Sequence, residues 1–209
     1  MPEVYVNGID VSHFNGTVDW SRVAAAGIAF AYAKATEGMH TQDAQFEANY
    51  DGIKASNLFR GAYHFFHADL DAAAQAAHFL SVVPALAPGD LPPALDVESA
   101  PDGLSAAHIA SGVRTWLDAV QQALGRTPVL YTSASFWNAR LTGASGFEVY
   151  PLWVAHYTTK PNPNLPAGFS DFTFWQFDEH QTVDGISGNV DMDRFNGSPD
   201  DLKQLAGLG

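Results

Sequence analysis

The chain has 209 residues, of which 46% are hydrophobic, so it is long enough to bury one full core. Its formal net charge of −13 disfavours nucleic acid and anionic membrane surfaces as partners, because both call for a basic protein surface. The absence of cysteine excludes disulfides, thiolate metal sites and a cysteine nucleophile.

Short apolar runs typical of β-strands recur along the chain, with helical segments between many of them. The predicted strands are residues 4–11, 28–36, 60–67, 91–98, 128–133, 152–157, 172–177 and 190–195. Apolar residues at helical spacing predict helices at residues 19–26, 42–57, 69–83 and 105–124, and a shorter one at 133–141. Ser105 is a suitable N-cap for the longest of these helices.

The alternation of strands and helices predicts an α/β fold, a modified (β/α) barrel with eight strands and fewer than eight outer helices. An open doubly wound sheet is the alternative, although no glycine-rich phosphate loop follows any predicted strand. Neither a linker nor a repeat interrupts the pattern, so residues 1–209 are expected to form a single catalytic domain.

The end of the fourth predicted strand carries two acidic residues, Asp96 and Glu98, separated by Val97. Because side chains alternate along a strand, both carboxyl groups are expected on one face, with Cα atoms roughly 6.6 Å apart. Repulsion and partial burial would raise one pKa, so that one group stays protonated while its neighbour is ionised. That combination suits cleavage of a glycosidic bond. The alternative is a structural role, in which the acids cap loops or bind an arginine.

Other acidic and aromatic residues fall near the ends of predicted strands, where a barrel places its active site. The candidate acids there are Asp10, Glu37 and Asp191, although Glu37 could instead be a structural partner of Lys34. Acids and aromatic faces together suit a sugar polymer, because pyranose rings stack on aromatic rings. The candidate substrate-binding aromatic residues, each of which could instead fill the core, are Tyr32, Tyr63, Tyr131, Trp153, Tyr157 and Trp175.

The eight histidines do not form a metal-binding pattern. His64 and His67 are three residues apart on one predicted strand, so they point to opposite sides, and no H-E-x-x-H motif is present. The absence of a G-x-S-x-G motif argues against a serine hydrolase. We therefore expect neither a metal ion nor a cofactor.

Seven short motifs occur in a fixed order between residues 8 and 197. They are GIDVSHFNG at 8–16, AKATEG at 33–38, GAYHFF at 61–66, PALDVE at 93–98, LWVAHY at 152–157, FWQF at 174–177 and VDMDRFNG at 190–197. In this ordered set the chain resembles the lysozymes of glycoside hydrolase family 25, the Chalaropsis-type N-acetylmuramidases.

The resemblance implies a flattened eight-stranded barrel that hydrolyses the β-1,4 bond between N-acetylmuramic acid and N-acetylglucosamine in bacterial peptidoglycan. It also implies that Glu98 is the acid/base, that Asp96 assists, and that Asp10 and Asp191 shape the electrostatics of the cleft. The family usually has asparagine where this chain has Asp193. That difference adds an acid near the cleft or makes a surface contact, and it leaves the exact substrate contacts open.

Two other functions are compatible with the same fold. A chitinase-like enzyme would carry a longer acidic run, and Ala94 stands where that run would have another acid. A barrel that only binds glycan would typically have lost Glu98, which is present. The expected partner is the peptidoglycan glycan strand, bound by a monomer outside the cytoplasm. Residues 1–6 do not resemble a signal peptide, so we expect a phage endolysin, a removed leader or another export route.

Overall fold

The computed structural model describes residues 5–209, so Val4, the predicted start of the first strand, and the rest of the segment 1–4 lie outside the described residues. The strands are β1 (Tyr5–Val11), β2 (Phe30–Glu37), β3 (Thr41–Gln42), β4 (Phe59–Phe65), β5 (Ala94–Asp96), β6 (Val129–Ser133), β7 (Leu152–Ala155), β8 (Phe174–Gln181) and β9 (Val190–Asn196). The helices are α1 (Trp20–Ala25), α2 (Phe46–Ala55), α3 (Ala72–Val82), α4 (Ala106–Leu124), α5 (Ala134–Arg140) and α6 (Pro199–Leu205), and a 3₁₀ turn spans His13–Asn15.

Eight of these strands close into a barrel, in the order β1-β9-β8-β7-β6-β5-β4-β2, with β2 paired to β1. The closure confirms the predicted barrel with fewer than eight helices and excludes the open doubly wound sheet. The remaining strand, β3, only extends the edge of β2 as a short antiparallel pair.

The last strand differs from a regular (β/α) barrel because β9 is antiparallel to both of its neighbours, β8 and β1. The connection at residues 182–189 is shorter than the dozen or so residues that a parallel crossover needs. As a result, the beginning of β9, and not its end, meets the carboxyl ends of the parallel strands. Asp191 therefore lies opposite Asp10 of β1.

Two strands differ from their predicted bounds by three residues or more at one end. Strand β5 covers only Ala94–Asp96, because Pro92 and Pro93 have no N–H to donate to a ladder, and Glu98 lies beyond its end. Strand β8 continues to Gln181 because it pairs with β9.

Helix α4 was predicted correctly from local signals: the Ser105 Oγ accepts from the His108 N–H at 3.2 Å. Helix α6 was not predicted, although Ser198, Pro199 and Asp201 form a recognisable capping box with proline in the first turn.

Alternation along the strands divides the apolar residues between two layers. Ile9, Ala31 and Leu95 face outward and pack beneath the helices, including the buried stripe of α4. Large aromatic residues face inward and fill one end of the barrel, which leaves the carboxyl ends of the parallel strands open. These inward-facing residues include Phe30, Tyr32, Trp153, Phe174 and Phe195. None of the helices among residues 5–209 combines the length and apolar character that crossing a bilayer requires.

Candidate active site

A cleft of about 300 Å³ opens at the carboxyl ends of the parallel strands. A larger groove of about 870 Å³ lies beside α1 and α2, but its charged lining consists of Asp19, Arg22 and Asp184, and Arg22 already pairs with Asp184. The cleft is lined by more charged side chains than the groove. It is lined by Asp10, Ser12, Phe14, Lys34, Tyr63, Phe65, Asp96, Glu98, Tyr131, Trp153, Tyr157, Gln176, Glu179 and Asp191.

The structure brings most of the candidate site residues together in this cleft. All four candidate catalytic carboxyl groups line it, although they come from β1, β5, the segment after β5, and β9. Four of the candidate aromatic residues join them, namely Tyr63, Tyr131, Trp153 and Tyr157.

Three candidates lie elsewhere. Tyr32 is fully buried in the barrel below the cleft, where its hydroxyl donates to the Pro92 carbonyl at 3.0 Å. Trp175 points to the outside of the barrel, because its neighbours Phe174 and Gln176 point inward. Its indole N–H donates to the backbone carbonyl of His156 at 2.8 Å.

Glu37 lies at the end of β2 and contacts the cleft through Lys34. Its two carboxylate oxygens accept from Lys34 Nζ at 2.6 Å and pair with His67 Nε2 at 3.0 Å. Burial alone would raise the pKa of Glu37, but the bonds to Lys34 and His67 hold it below its usual value. Glu37 therefore fixes the position of the Lys34 ammonium group.

Lys34 is the one basic side chain among the described residues that line the cleft. Its ammonium group lies 4.8 Å from the ring centroid of Phe65. Its charge favours the ionised forms of both Asp96 and Glu98. The sequence motif alone does not show a base beside this acidic pair, because Lys34 belongs to a different strand.

Asp96 and Glu98 have different surroundings. Asp96 is buried, and burial together with the charges of Glu98 and Asp10 raises its pKa well above the usual value. Glu98 is exposed to the cleft. Partial burial by the surrounding protein raises its pKa, and the charge of Lys34 opposes that rise. The Oδ1 atom of Asp96 is buried and has no hydrogen-bond partner in the described part of the protein. No described protein group therefore uses this acceptor.

Gln176 is a site residue that the sequence reasoning did not select. Its Oε1 accepts from the hydroxyl groups of Tyr131 at 2.8 Å and Tyr157 at 2.7 Å. These two bonds orient the amide, so its Nε2 donates to Asp10 Oδ2 at 2.7 Å. The sequence signal that could have identified Gln176 is its position as a polar residue in a predicted strand of mostly apolar residues.

In the strand order, β1 with Asp10 has β9 with Asp191 on one side. The Asp96–Glu98 pair lies on the other side of β1. Partial burial and the charges of Glu179 and Glu98 raise the pKa of Asp191 to about 6. Burial, and then the charge of Asp191, raises the pKa of Asp10 as well. Asp193 is fully buried inside the barrel, so the expected surface contact is excluded and the added acid lies beneath the cleft.

The rim of the cleft carries an aromatic side chain that the sequence reasoning also passed over. Phe14 is 84% exposed, and its ring lies 4.0 Å from that of His13, centroid to centroid. His13 is held by Asp43 Oδ2, which bonds both its backbone N–H at 3.0 Å and its Nδ1 at 2.6 Å. An exposed ring on an anchored turn provides a flat surface for an apolar ligand face.

His64 serves a structural contact. His64 is fully buried between Thr36 and Gln75. Within residues 5–209 there is no group of three or more His, Asp or Glu side chains arranged to hold a metal ion.

Relatives of this chain are known over nearly its whole length. The family model described as Glycosyl hydrolases family 25 matches residues 9–186. Lysozyme M1 of Streptomyces globisporus is 39% identical over 210 residues, which cover 96% of this chain and 71% of that protein. The N,O-diacetylmuramidase of a Chalaropsis species is 32% identical, over 96% of this chain and 99% of that protein. The crystal structure of a lysozyme from Streptomyces coelicolor has a TM-score of 0.92 at 38% identity and covers 99% of each chain.

Proposed function

Because the chain belongs to glycosyl hydrolases family 25, we propose that it is an N-acetylmuramidase that hydrolyses the β-1,4 bond between N-acetylmuramic acid and N-acetylglucosamine in bacterial peptidoglycan. The observation that carries this proposal is the pairing of a buried Asp96 with a cleft-facing Glu98 in one acidic cleft. The relatives' names, lysozyme and N,O-diacetylmuramidase, support the same reaction class.

Glu98 is the general acid that protonates the leaving oxygen and then the general base that activates water. Its exposure to the cleft gives it access to the bond. Both carboxyl groups have raised pKa values, so the two titrate as a pair. A substrate that donates a hydrogen bond to Asp96 would favour the ionised form of Asp96. Repulsion from that charge would then keep the proton on Glu98, as the acid role needs.

The donor that fits Asp96 is the N–H of the substrate's own 2-acetamido group. Its acceptor would be the carboxyl group of Asp96, whose Oδ1 atom has no hydrogen-bond partner among the described residues. Oriented in this way, the acetamido oxygen acts as the nucleophile, and Asp96 stabilises the positive charge that develops on the amide nitrogen. The reaction then proceeds with net retention of configuration. Asp10 and Asp191 shape the potential of the cleft, and Tyr63, Tyr131, Trp153 and Tyr157 contact the sugar rings.

The proposal extends to the whole chain. Residues 1–209 act as a single catalytic domain. This is supported by the single closed sheet, which contains strands from both halves of the chain. The protein acts as a monomer on the bacterial wall, and no nucleic acid or membrane takes part. Size-exclusion chromatography with light scattering measures the oligomeric state directly.

Lysis of purified bacterial walls by the wild type and by Glu98→Gln tests the function. Glutamine keeps the size of the side chain but cannot give a proton, so lysis should fall by roughly 10²- to 10⁴-fold. Glu148→Gln is the matched control, because it removes the same charge at an exposed position outside the cleft. Wall lysis by Glu98→Gln at a rate near that of Glu148→Gln would exclude Glu98 as the acid.

The bond that is cleaved is tested separately. Borohydride reduction of the digested wall followed by mass spectrometry should reveal new reducing ends of muramic acid. New reducing ends of glucosamine would identify a glucosaminidase and refute the muramidase proposal, while leaving the hydrolase class intact.

A further inference from the structure

Asp193 occupies an unusual position for a carboxyl group. It lies in the middle of β9 with its side chain inside the barrel, and it is 0% exposed. Its neighbours across the ladder are Gly8 of β1 and Gln176 of β8. Position 8 has no room for a side chain, because a Cβ there would lie 2.3 Å from the ring of Phe30. Asp193 is therefore enclosed, and water does not solvate it.

Few groups are available to compensate a charge at this position. The indole N–H of Trp153 donates to Asp193 Oδ1 at 2.8 Å. The Oδ2 atom is buried and has no hydrogen-bond partner within residues 5–209. The acidic groups that face it are Asp10 from β1 and Asp191 from its own strand.

The neighbouring basic residue on β9 does not compensate a charge on Asp193. Arg194 points to the outside of the barrel, where its guanidinium lies 3.9 Å from the ring centroid of Phe177. From β2, Tyr32 faces Asp193 but is itself neutral, and Arg126 acts on Tyr32 from the closed end. An ionised Asp193 would thus be a buried charge without a cationic partner, which is costly.

The side chains of Asp193 and Asp10 are close enough to interact, and after burial the charge of Asp10 has the largest effect on Asp193. Two ionised carboxylates are both acceptors and repel each other, so a hydrogen bond between them requires a proton on one of them. Asp10 already accepts from Gln176 Nε2 and therefore has a donor that favours its ionised form. Asp193 is the more enclosed of the two, at 0% exposure against 8% for Asp10.

We propose that Asp193 is a positioning residue that stays a neutral carboxylic acid, accepts a hydrogen bond from Trp153 and donates one to Asp10. Asp10 is thereby held between two donors, the Gln176 amide from β8 and the Asp193 hydroxyl from β9. Burial, and then the charge of Asp10, raises the pKa of Asp193 well above its usual value, which agrees with the retained proton.

The kinetic consequences rest on the proposed function, whereas the protonation state does not. Asparagine at position 193 can make the same two bonds through its carbonyl oxygen and its N–H, without a proton that titrates. Leucine has a similar shape and can make neither bond. The pair Asp193→Asn and Asp193→Leu therefore separates the hydrogen bonds from the charge.

Infrared difference spectroscopy of the wild type against Asp193→Asn at pH 7 tests the protonation directly. The wild type should show the carbonyl stretch of a buried neutral carboxylic acid, and Asp193→Asn should lack it. If the difference spectrum contains only a carboxylate signal, Asp193 is ionised and the proposal is wrong, whatever the enzyme hydrolyses.

The rate of wall lysis tests the positioning role. Asp193→Asn should keep kcat within about threefold at neutral pH and should retain activity to higher pH than the wild type. Asp193→Leu should lose about 10²-fold in kcat, the cost of misplacing a group by about 1 Å, with a smaller change in KM. A large loss of kcat in Asp193→Asn would overturn the proposal, and that measurement stands even if Asp193→Leu does not fold.

Discussion

Replacing Asp191 with asparagine should stabilise the protein at neutral pH while slowing its reaction. Asp191 lies beside Glu179 and Glu98, and partial burial together with these charges raises its pKa to about 6. The ionised form is therefore less favourable in the folded protein than in the unfolded chain. Asparagine has nearly the same shape and carries no charge, so it removes this repulsion.

The size of the effect follows from the pKa change. The rise from 3.8 to about 6 corresponds to about 3 kcal/mol at about 1.4 kcal/mol per unit. Solvent screens a partly exposed group, so about 1–2 kcal/mol is the better expectation. A raised folded-state pKa means that stability falls as pH rises from about 4 to about 6 and stays lower above that range. The gain from Asp191→Asn should therefore be complete at pH 8 and small at pH 4.

Thermal unfolding of the wild type, Asp191→Asn and Asp69→Asn at pH 4 and pH 8 measures this gain. At about 2–4 °C per kcal/mol for a chain of this size, Asp191→Asn should raise Tm by about 2–8 °C at pH 8. Asp69→Asn removes the same charge at an exposed position and is the control. If both variants change Tm equally at pH 8, local repulsion is not the cause.

The same variants also test the role of Asp191 in the reaction. Asp191→Asn should slow wall lysis at least about tenfold, the factor that about 1.4 kcal/mol of transition-state stabilisation supplies. If Asp191→Asn lyses walls at the same rate as Asp69→Asn, Asp191 takes no part in the reaction.

Three further changes test other parts of the cleft. Asp96→Asn should cut kcat strongly but less completely than Glu98→Gln, because the amide still orients the acetamido group; equal rates for Asp96→Asn and wild type in a wall-lysis assay would contradict this. Phe14→Ala should raise KM about fivefold, the value of about 1 kcal/mol of ring stacking, whereas Phe14→Trp should not. Unchanged KM for soluble glycan fragments would exclude the ring as a binding surface. Lys34→Met should move the pH–rate profile to higher pH, because the ammonium lowers the pKa of both acids, and Lys34→Arg should keep the wild-type profile. A Lys34→Met profile that coincides with wild type would show that this charge does not tune the pair.

Local signals in the sequence were sufficient for most of the barrel and for the family. The cap at Ser105, the apolar stripe of α4 and the alternation of strands and helices are encoded within a few residues each. The ordered motifs identified the family, which the comparisons confirm. These features could be predicted because neighbours along the chain determine them.

The errors arose where the outcome depends on pairing between distant segments. The direction of β9 depends on its antiparallel pairing with β1 and β8, and β5 starts only at Ala94 because two prolines precede it. Trp175 was expected in the cleft, but the inward position of Gln176 turns it to the outside. Tyr32, which could either bind substrate or fill the core, is buried too deep to line the cleft.

The protonation of the acidic groups also depends on distant pairing. Most carboxyl groups around the cleft, though not Glu179, could be identified from the sequence, but the number of protons they hold depends on depth and on Lys34. Asp193 lies deepest and has no cation beside it among the described residues, whereas Asp191 lies near the opening and has a pKa of about 6. Between them, Asp10 is held by the Gln176 amide. Protons should therefore leave these groups from the opening inward as pH rises, so Asp191 ionises well before Asp193. A neutral group at the bottom and ionisable groups at the top let the cleft change its charge where substrate binds without placing an uncompensated charge inside the barrel.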